Sequence, residues 1–379
     1  MPKRPIYLDN HATTRLDPRV FATMEPWFGE EYGNSSSRSH QHGWRAEEAV
    51  ERARAQVAGL IGAQPSEIVF TSGTTESNNM VLKGLSCSRF VVTAIEHKSV
   101  LAACAWLGAS RRSVVSISKV DHAGMVDPEE ICGLACSGSD DLVSVMLANN
   151  EVGTIQPVGA VAQKLFSKGV PIHSDVAQAV GKIPIDVKAL GIHFASFSAH
   201  KMYGPKGIGA LYVCEGVGHL LTPLIHGGGQ ECGFRSGTLN VPAVVGFGKA
   251  CEIAKAEMPN ESKRIFFLRN KLEELLKSAV PGMVVHGGAN RLAGNLNFAI
   301  PCRDMNAFMA FVADGVSLSL GSACMSNSGK SHVLDAMGID ADEAHRTVRI
   351  GVGRFNTEEE IVEAADIIVR ALDNANDGG

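Results

Sequence analysis

The sequence predicts an α/β protein with a large, mainly parallel sheet and a second, smaller α+β domain. Short β-rich runs alternate with helix-length segments, which is typical of a parallel sheet covered by helices on both faces. After about residue 245 the pattern changes to a long charged helix over 246–280, followed by a mixed strand and helix region. We therefore expect a large domain over 17–247 and a small domain formed by 1–16 and 248–379.

The predicted elements follow one another in the order that such a fold requires. Residues 44–61 place their apolar side chains on one helical face, and Gly62 is the expected stop. The predicted strands are Ile68–Thr71, Phe90–Thr93, Leu142–Met146, Val170–His173, Phe194–Phe197 and Gly209–Val213. Because ligands bind at the carboxyl ends of parallel strands, residues that follow these runs are candidate site residues.

Composition is that of a globular enzyme. The chain has 379 residues, of which 45% are hydrophobic and 20% charged, with a formal net charge of -5. Nucleic acid and anionic membrane surfaces are therefore not expected as main partners. An odd number of scattered cysteines, nine in all, together with an N-terminus that lacks an apolar signal region, predicts reduced thiols and a cytoplasmic location.

Lys201 is the first candidate for chemistry. It follows a predicted buried strand within Ser198-Ala199-His200-Lys201 and is followed by a Gly/Pro turn. A desolvated lysine at such a position suits a Schiff base with an aldehyde cofactor, and neighbouring hydroxyl and imidazole groups suit a phosphate. The alternative is a solvated loop lysine. Lys206 is a nearby competitor, separated from the strand end by Gly204-Pro205.

Other polar residues also follow predicted strands. Asp175 could pair with a protonated pyridine nitrogen, or it could be a helix N-cap. Gln178 could then contact the ring oxygen. The turn Ser72–Thr75 opens a helix and could hold phosphate, or it could be a simple capping box. His97 could stack on a ring and move protons, although a lone histidine is more often structural.

Cys324 is a single thiol in the Gly/Ser-rich stretch 319–330, which the composition predicts to be flexible. A mobile cysteine can attack a sulfur atom and carry it outward as a persulfide. The alternative is an incidental loop thiol.

Together these segments resemble the cysteine desulfurases of the nitrogen-fixation and iron–sulfur-cluster assembly branch. The matching motifs are Tyr7–Thr14, Ser72–Asn79, Glu96–Lys98, Asn149–Gly153, Ser196–Gly207, His226–Glu231, Arg235–Thr238, Gly321–Cys324, Arg349–Phe355 and Asn356–Glu360. Each is moderately specific, and their order along one chain makes coincidence improbable.

The resemblance implies a pyridoxal-phosphate-dependent transferase of fold type I, with a seven-stranded sheet, that acts as a homodimer. It makes Lys201 the Schiff-base lysine, His97 the ring-stacking residue and Asp175 the pyridinium partner. The remaining cofactor-binding residues that it implies are Thr74, Thr75, Asn150, Gln178, Ser198, His200 and, from the second subunit, Thr238.

The implied reaction removes sulfur from L-cysteine, giving L-alanine and a persulfide on Cys324. Asn34, Asn150 and Arg349 would hold the substrate, although by spacing alone Arg349 could equally be a surface salt-bridge residue. The sulfur would pass to an acceptor protein for iron–sulfur clusters, other thio-cofactors or thiolated tRNA.

One departure from the family pattern concerns Cys232, which stands where members commonly have arginine. Simple drift is one explanation, and a relay of sulfur, or a metal held with Cys324, is a second; no other metal site is predicted. A selenocysteine lyase remains an alternative, as do a class-V transaminase without need of Cys324 and a sulfur-handling binding partner with weak catalysis.

Overall fold

The computed structural model describes residues 4–136, 140–320 and 331–377, and the strands in these ranges form three sheets. In chain order the strands are β1 (Ile6–Tyr7), β2 (Ile68–Thr71), β3 (Arg89–Thr93), β4 (Val114–Ser118), β5 (Asp141–Ser144), β6 (Ile172–Asp175), β7 (Phe194–Ser198), β8 (Gly209–Val213), β9 (Val284–His286), β10 (Asn295–Ala299), β11 (Val316–Ser317), β12 (Ser319–Leu320) and β13 (Thr347–Gly351).

Helices cover these sheets. They are α1 (Pro18–Met24), α2 (Gln41–Leu60), α3 (Thr74–Gly84), α4 (Lys98–Arg111), α5 (Pro128–Leu134), α6 (Val158–Phe166), α7 (Val241–Ala279), α8 (Met305–Ala313), α9 (His332–Ala336), α10 (Ala341–His345) and α11 (Glu358–Asp377). Within the described ranges, none of the helices has both the length and the apolar content that crossing a membrane requires.

The largest sheet has seven strands in the order β2-β8-β7-β6-β5-β3-β4. Every neighbouring pair is parallel except the two pairs made by β8, so the prediction of a mainly parallel sheet is confirmed. The carboxyl ends of all strands other than β8 meet at one edge, where ligands bind in such sheets. The predicted strands are found within two residues of their expected bounds.

Sequence reasoning missed the edge strand β4. Its residues Val114 and Ile117 are exposed, and serines interrupt its apolar residues. A strand at the edge of the sheet need not be apolar throughout, so it lacks the continuous apolar run that marks the central strands.

The predicted helix over 44–61 is α2, where the His40 side chain accepts a hydrogen bond from the backbone N–H of Gly43 (3.2 Å). Gly62 follows with a φ of +72°, the left-handed conformation that ends helices.

The C-terminal part forms a four-stranded antiparallel sheet in the order β12-β13-β10-β9. Its apolar face packs with α8 and α11 in one hydrophobic cluster, to which Ile6 and Leu8 of the N-terminus also belong. Helix α7 contributes to both clusters: residues up to Ala254 pack with the large sheet, and residues from Ile265 pack with the small one. The predicted domain boundary at 247/248 falls inside this helix and stays a prediction.

Arg354 and Asp17 join the N-terminus, helix α7 and the C-terminal part. Asp17 accepts hydrogen bonds from Arg19 and from the Arg354 guanidinium (2.8 Å), which also pairs with Glu261 (2.8 Å). Arg354 lies over the ring of Tyr203, 4.2 Å from its centroid. Asp17 is buried, and Arg19 is the main cause that holds the pKa of its carboxyl well below the ordinary value. This ion-pair network therefore needs an ionised Asp17.

We expect Asp17→Asn to lower the free energy of unfolding by about 3 kcal/mol at pH 7, because the buried Arg354 loses one of its two charge partners. A carboxyl with a depressed pKa stabilises the folded state above its unfolded pKa of about 3.9, and this stabilisation is lost as the pH falls. Urea unfolding at a series of pH values should show the wild type and variant converging below about pH 4. The exposed pair Arg370–Asp366 provides the control, and Asp366→Asn should change stability by less than about 1 kcal/mol. Equal pH dependence of wild type and Asp17→Asn would contradict the interpretation.

Candidate active site

A cavity of about 630 Å³ opens at the carboxyl edge of the large sheet. The strands β2, β3, β5, β6 and β7 end at this edge, and the polar residues that follow them line the cavity, as predicted. The lining residues from these strand ends are Ser72, Gly73, Thr74, Thr75, Glu76, His97, Met146, Ala148, Asn150, Asp175, Ala177, Gln178, His200 and Lys201.

Lys201 ends a 3₁₀ turn, Ala199–Lys201, that follows β7 directly. Its Nζ donates hydrogen bonds to the backbone oxygens of His11 (2.5 Å) and Ala12 (2.7 Å). The amine is therefore held against the N-terminal segment inside the cavity, and the alternative of a solvated loop lysine does not describe it. Lys206 also lines the cavity, which its separation by Gly204-Pro205 did not lead us to expect.

Asp175 is the last residue of β6 and is buried. Its Oδ2 accepts from the Asn78 side-chain amide (2.9 Å), and its Oδ1 accepts from the backbone N–H of Ala177 (3.0 Å). The hydrogen bond from the Ala177 N–H is the kind that an N-cap residue makes, so Asp175 has this local role. Its carboxylate also lines the cavity. A buried acceptor of this kind can hold a cationic or N–H-bearing ring nitrogen.

His97 caps helix α4, since its Nδ1 accepts from the backbone N–H of Ser99 (3.1 Å). The ring hydrogen of the neutral imidazole then sits on Nε2. Burial lowers the pKa of His97, and the nearby Asp175 opposes this effect in part. The ring therefore combines the structural role of a cap with a place in the cavity wall.

An anion-binding corner forms where α3 begins. Gly73 precedes the helix, Thr74 and Thr75 open it, and the Thr74 Oγ1 has no hydrogen-bond partner. The Ser198 Oγ is likewise buried without a partner, although Ser198 does not line the cavity itself. The Nδ1 of His200 and the Oγ1 of Thr13 share a hydrogen bond (3.1 Å). Burial lowers the pKa of the His200 ring to about 4. Orphan hydroxyls beside a helix N-terminus fit the oxygens of a phosphate.

Arg349 lies on β13 at the opposite wall of the cavity and is buried. Its guanidinium pairs with Asp9 (2.8 Å) and donates to the backbone oxygen of Asn150 (3.1 Å) and to Ser319 Oγ (3.2 Å). Among the residues that the structure describes, its Nε has no hydrogen-bond partner. The alternative of a surface salt bridge is therefore wrong for Arg349, since the group is enclosed and still has a donor for a carboxylate.

The predicted site residues Asn34, Ser198 and Thr238 do not line the cavity of this chain. Asn34 and Thr238 are exposed and lie elsewhere, and Cys324 is outside the described residues. Cys232 is exposed, has a φ of +54°, and lines a different cavity with Ser36. In the part of the chain that the structure describes, no cluster of His, Cys, Asp or Glu could hold a metal ion.

Several cavity residues were not predicted as functional: Asp9, His11, Ala12, Thr13, Lys206 and Ser319. The motif Tyr7–Thr14 did signal its importance by resemblance, but nothing in its residues indicates a role. The N-terminal segment reaches the cavity only because it binds the loop after β7. There Thr14 Oγ1 donates to the His200 backbone oxygen (2.9 Å) and accepts from the Tyr203 N–H (2.7 Å).

Comparisons with known proteins agree with this geometry. Residues 6–363 match the family model described as aminotransferase class-V. The cysteine desulfurase IscS of Rickettsia africae is 45% identical over 377 residues, covering 97% of this chain and 91% of the relative. A solved NifS-like protein is 39% identical with a TM-score of 0.90, covering 97% of this chain and 99% of that one. A structure described as SspA in complex with cysteine is 34% identical with a TM-score of 0.82, covering 93% and 100%.

A buried carboxyl group lies beside the cavity next to His97. The Oε1 of Glu96 accepts from the backbone N–H of Met146 (2.7 Å) and from Thr93 Oγ1 (2.8 Å), whereas its Oε2 has no partner. Burial raises the pKa of Glu96 to about 8. The group is therefore a neutral acid in the folded protein at neutral pH.

We expect Glu96→Gln to be more stable than the wild type at pH 7. Because the pKa of Glu96 is higher in the folded than in the unfolded state, its protonated carboxyl stabilises the folded state fully below the unfolded pKa of about 4.3. This contribution is lost as the pH rises towards 8. Glutamine does not titrate, so the free energy of unfolding of the variant, relative to that of the wild type, should rise by about 3 kcal/mol between pH 4 and pH 7 in urea unfolding. Glu274→Gln, on an exposed side chain, should show no such trend. A pH-independent difference for Glu96→Gln would show that Glu96 is ionised.

Proposed function

Because the chain belongs to the class-V aminotransferase family, and because similar proteins carry the name cysteine desulfurase, we propose that it is a cysteine desulfurase that uses pyridoxal 5'-phosphate. It removes the sulfur atom from L-cysteine and leaves L-alanine. The thiolate of Cys324 receives the sulfur as a persulfide. In this exchange the Cβ–Sγ bond of the substrate is reduced to C–H while the Cys324 sulfur is oxidised to S–S, so no external oxidant is needed.

The observation that carries the proposal is the single cavity that brings together an amine, a buried carboxylate, an imidazole and a guanidinium. These groups belong to Lys201, Asp175, His97 and Arg349. Each has a separate task in handling an amino acid on an aldehyde cofactor, and a binding partner with weak catalysis would not need all of them.

The residues of the cavity fit pyridoxal phosphate. The unpartnered hydroxyls of Thr74 and Ser198, with Thr75 and His200, suit the phosphate group. Asp175, oriented by Asn78, suits the pyridine nitrogen, and Gln178 with Asn150 suits the ring oxygen and the substrate side. When bound, the cofactor supplies an electron sink for the bonds at Cα of the substrate.

Lys201 would hold the cofactor aldehyde, and its amine would take and return the proton at Cα of cysteine. Its contacts with the backbone oxygens of His11 and Ala12 keep the amine in the cavity. His97 would stack on the ring, and its imidazole would take part in proton movement, because burial lowers its pKa.

Arg349 orients the substrate by its carboxylate, with help from Asn150 and Asn34. The unpartnered Nε and the neighbouring NH2 form the fork that binds carboxylates through two parallel hydrogen bonds. Asp9 occupies part of this fork through its 2.8 Å ion pair, so the incoming carboxylate must share the guanidinium with Asp9 or displace it.

The reach of Cys324 supports its role. Ser319 lines the cavity and accepts from Arg349, and Cys324 follows five residues later. A fully extended stretch of this length spans at most about 18 Å, and this short separation from a residue of the cavity wall supports the proposed role of the thiol. Downstream, Ser331 donates to Glu151 Oε2 (2.5 Å), which fixes the chain again.

A homodimer and a sulfur-acceptor protein complete the proposal. Thr238 and Asn34 are exposed in one chain, as expected for groups that serve the active site across a subunit contact. Phe28, Tyr32 and Trp44 are also exposed, at 67%, 72% and 52%, and these large aromatic side chains near Asn34 suit a protein interface. The acceptor protein then takes the persulfide sulfur from Cys324.

We expect borohydride reduction of the cofactor-loaded protein to fix pyridoxal phosphate on Lys201, because this amine directly follows β7 and is held in the cavity by the backbone oxygens of His11 and Ala12. Peptide mass spectrometry identifies the modified lysine. Lys201→Ala should abolish the modification, whereas Lys206→Ala, which changes the other lysine of the cavity, should retain it. A colourless reconstituted protein, or modification at Lys206 instead, would overturn the proposal.

We expect Cys324→Ser to retain the visible cofactor band and its shift on addition of cysteine, and to lose sulfide release by more than about 100-fold. A serine hydroxyl is not ionised near neutral pH and cannot replace the thiolate. Cys136→Ser, at an exposed thiol, is the matched control and should leave turnover unchanged. Activity of Cys324→Ser on selenocysteine alone would favour a selenocysteine lyase, and unchanged turnover of amino acids would favour a transaminase.

A further inference from the structure

A second, much smaller cavity lies behind the N-terminal segment. It has a volume of about 30 Å³, room for one or two water molecules, and is lined by polar residues that include His11, Lys182, Tyr203 and Glu261. His11 belongs to the walls of both cavities. The imidazole therefore separates Lys182 from the candidate active site.

A continuous hydrogen-bond chain links Lys182 to the main cavity. The Lys182 Nζ donates to the Gln178 Oε1 (3.1 Å), and the same oxygen lies 3.1 Å from the His11 Nδ1. The Gln178 Nε2 donates to the backbone oxygen of His11 (2.9 Å), which also accepts from the Lys201 Nζ (2.5 Å).

This arrangement determines which way the Gln178 amide faces. In the opposite orientation its NH2 group would meet the donors of Lys182, and its oxygen would meet the carbonyl oxygen of His11. Both contacts would be repulsive, so the amide oxygen must face Lys182. The oxygen accepts on both lone pairs, and His11 must then carry its ring hydrogen on Nδ1.

We propose that Lys182 is a positioning residue that fixes the amide of Gln178 and the tautomer of His11. One N–H of Gln178 Nε2 is already used by the His11 carbonyl, so the second N–H is the group left for an acceptor in the main cavity. His11 presents an unprotonated Nε2, an atom that is buried and has no partner among the described residues. This inference rests on the proposed function, because the acceptor in the cavity is the ring oxygen of the cofactor.

The electrostatics of the neighbourhood agree with the geometry. Burial lowers the pKa of His11 well below its ordinary value, and the charges of Lys182 and Arg349 lower it further, so the imidazole is neutral and must adopt one tautomer. Burial, Lys201 and Arg349 also lower the pKa of Lys182 to about 7, against the attraction of Glu261. Both the ammonium and the neutral amine of Lys182 carry N–H donors, so the contact with Gln178 survives this titration.

The tautomer can be measured in the cofactor-free protein. With nitrogen-15-labelled histidine, the His11 ring should show a protonated Nδ1 and a bare Nε2, and the signals are assigned by their loss in His11→Asn. We expect Lys182→Met to weaken this preference, since one of the two contacts that orient the Gln178 amide is then lost and the contact with the His11 carbonyl oxygen remains, and Lys182→Arg to keep it. Lys188→Met, at an exposed lysine, is the control and should leave the His11 signals unchanged.

Cofactor affinity gives the second readout. Titration of the cofactor-free protein with pyridoxal phosphate should show a dissociation constant about 5- to 10-fold higher for Lys182→Met, with near wild-type binding in Lys182→Arg. In a Gln178→Leu background, Lys182→Met should change the constant less than about twofold, because its effect passes through the amide.

An unchanged His11 tautomer in a folded Lys182→Met protein would overturn the proposal, and so would an undiminished effect of Lys182→Met in the Gln178→Leu background. If Lys182→Met does not fold, Lys182→Ala takes its place, since it removes the same donor, and an unchanged His11 tautomer in that variant overturns the proposal. A wild-type protein that binds no pyridoxal phosphate would instead refute the proposed function, and the tautomer measurement would still judge the role of Lys182.

Discussion

The active site depends on the contact between the N-terminal segment and the loop that follows β7. Thr14 binds the backbone of His200 and Tyr203, and the carbonyl oxygens of His11 and Ala12 receive the amine of Lys201. The same segment carries Asp9, which pairs with Arg349 on the small sheet. The six residues Asp9–Thr14 therefore contact both the amine that follows β7 of the large sheet and the guanidinium on β13 of the small sheet.

This placement also explains the electrostatics. Lys201, Lys182 and Arg349 bring three cationic groups close together, and each adds to the effect of burial in lowering the pKa of His11. Asp9, Asp175 and Glu261 supply the compensating carboxylates around the same region. Burial is the main cause that keeps the imidazoles of His11 and His200 neutral, with the pKa of His200 at about 4, and the nearby lysines lower both pKa values further.

Sequence reasoning succeeded where function follows local structure. Lys201, Asp175, His97 and the Ser72–Thr75 turn could be predicted as neighbours because each follows a recognisable strand, and parallel strands end at one edge. His11 and Lys182 could not be predicted in the same way. His11 meets Gln178 from 167 residues away, and its contact appears only when the N-terminus folds against the large sheet. Asn34 and Thr238 lie outside the cavity of one chain, so their predicted roles need a second chain.

The arrangement divides the proposed reaction between a rigid part and a short tether. The groups that act on the amino acid are buried and cross-linked by hydrogen bonds from both domains, which suits the precise proton transfer at Cα. The sulfur, however, must leave the protein, and the receiving thiol cannot belong to the same rigid set. Ser319 and Ser331 are each bound to residues of the site, through Arg349 and Glu151. Eleven residues, Cys324 among them, separate these two anchors in the sequence, and the proposed sulfur acceptor must take the sulfur from this stretch.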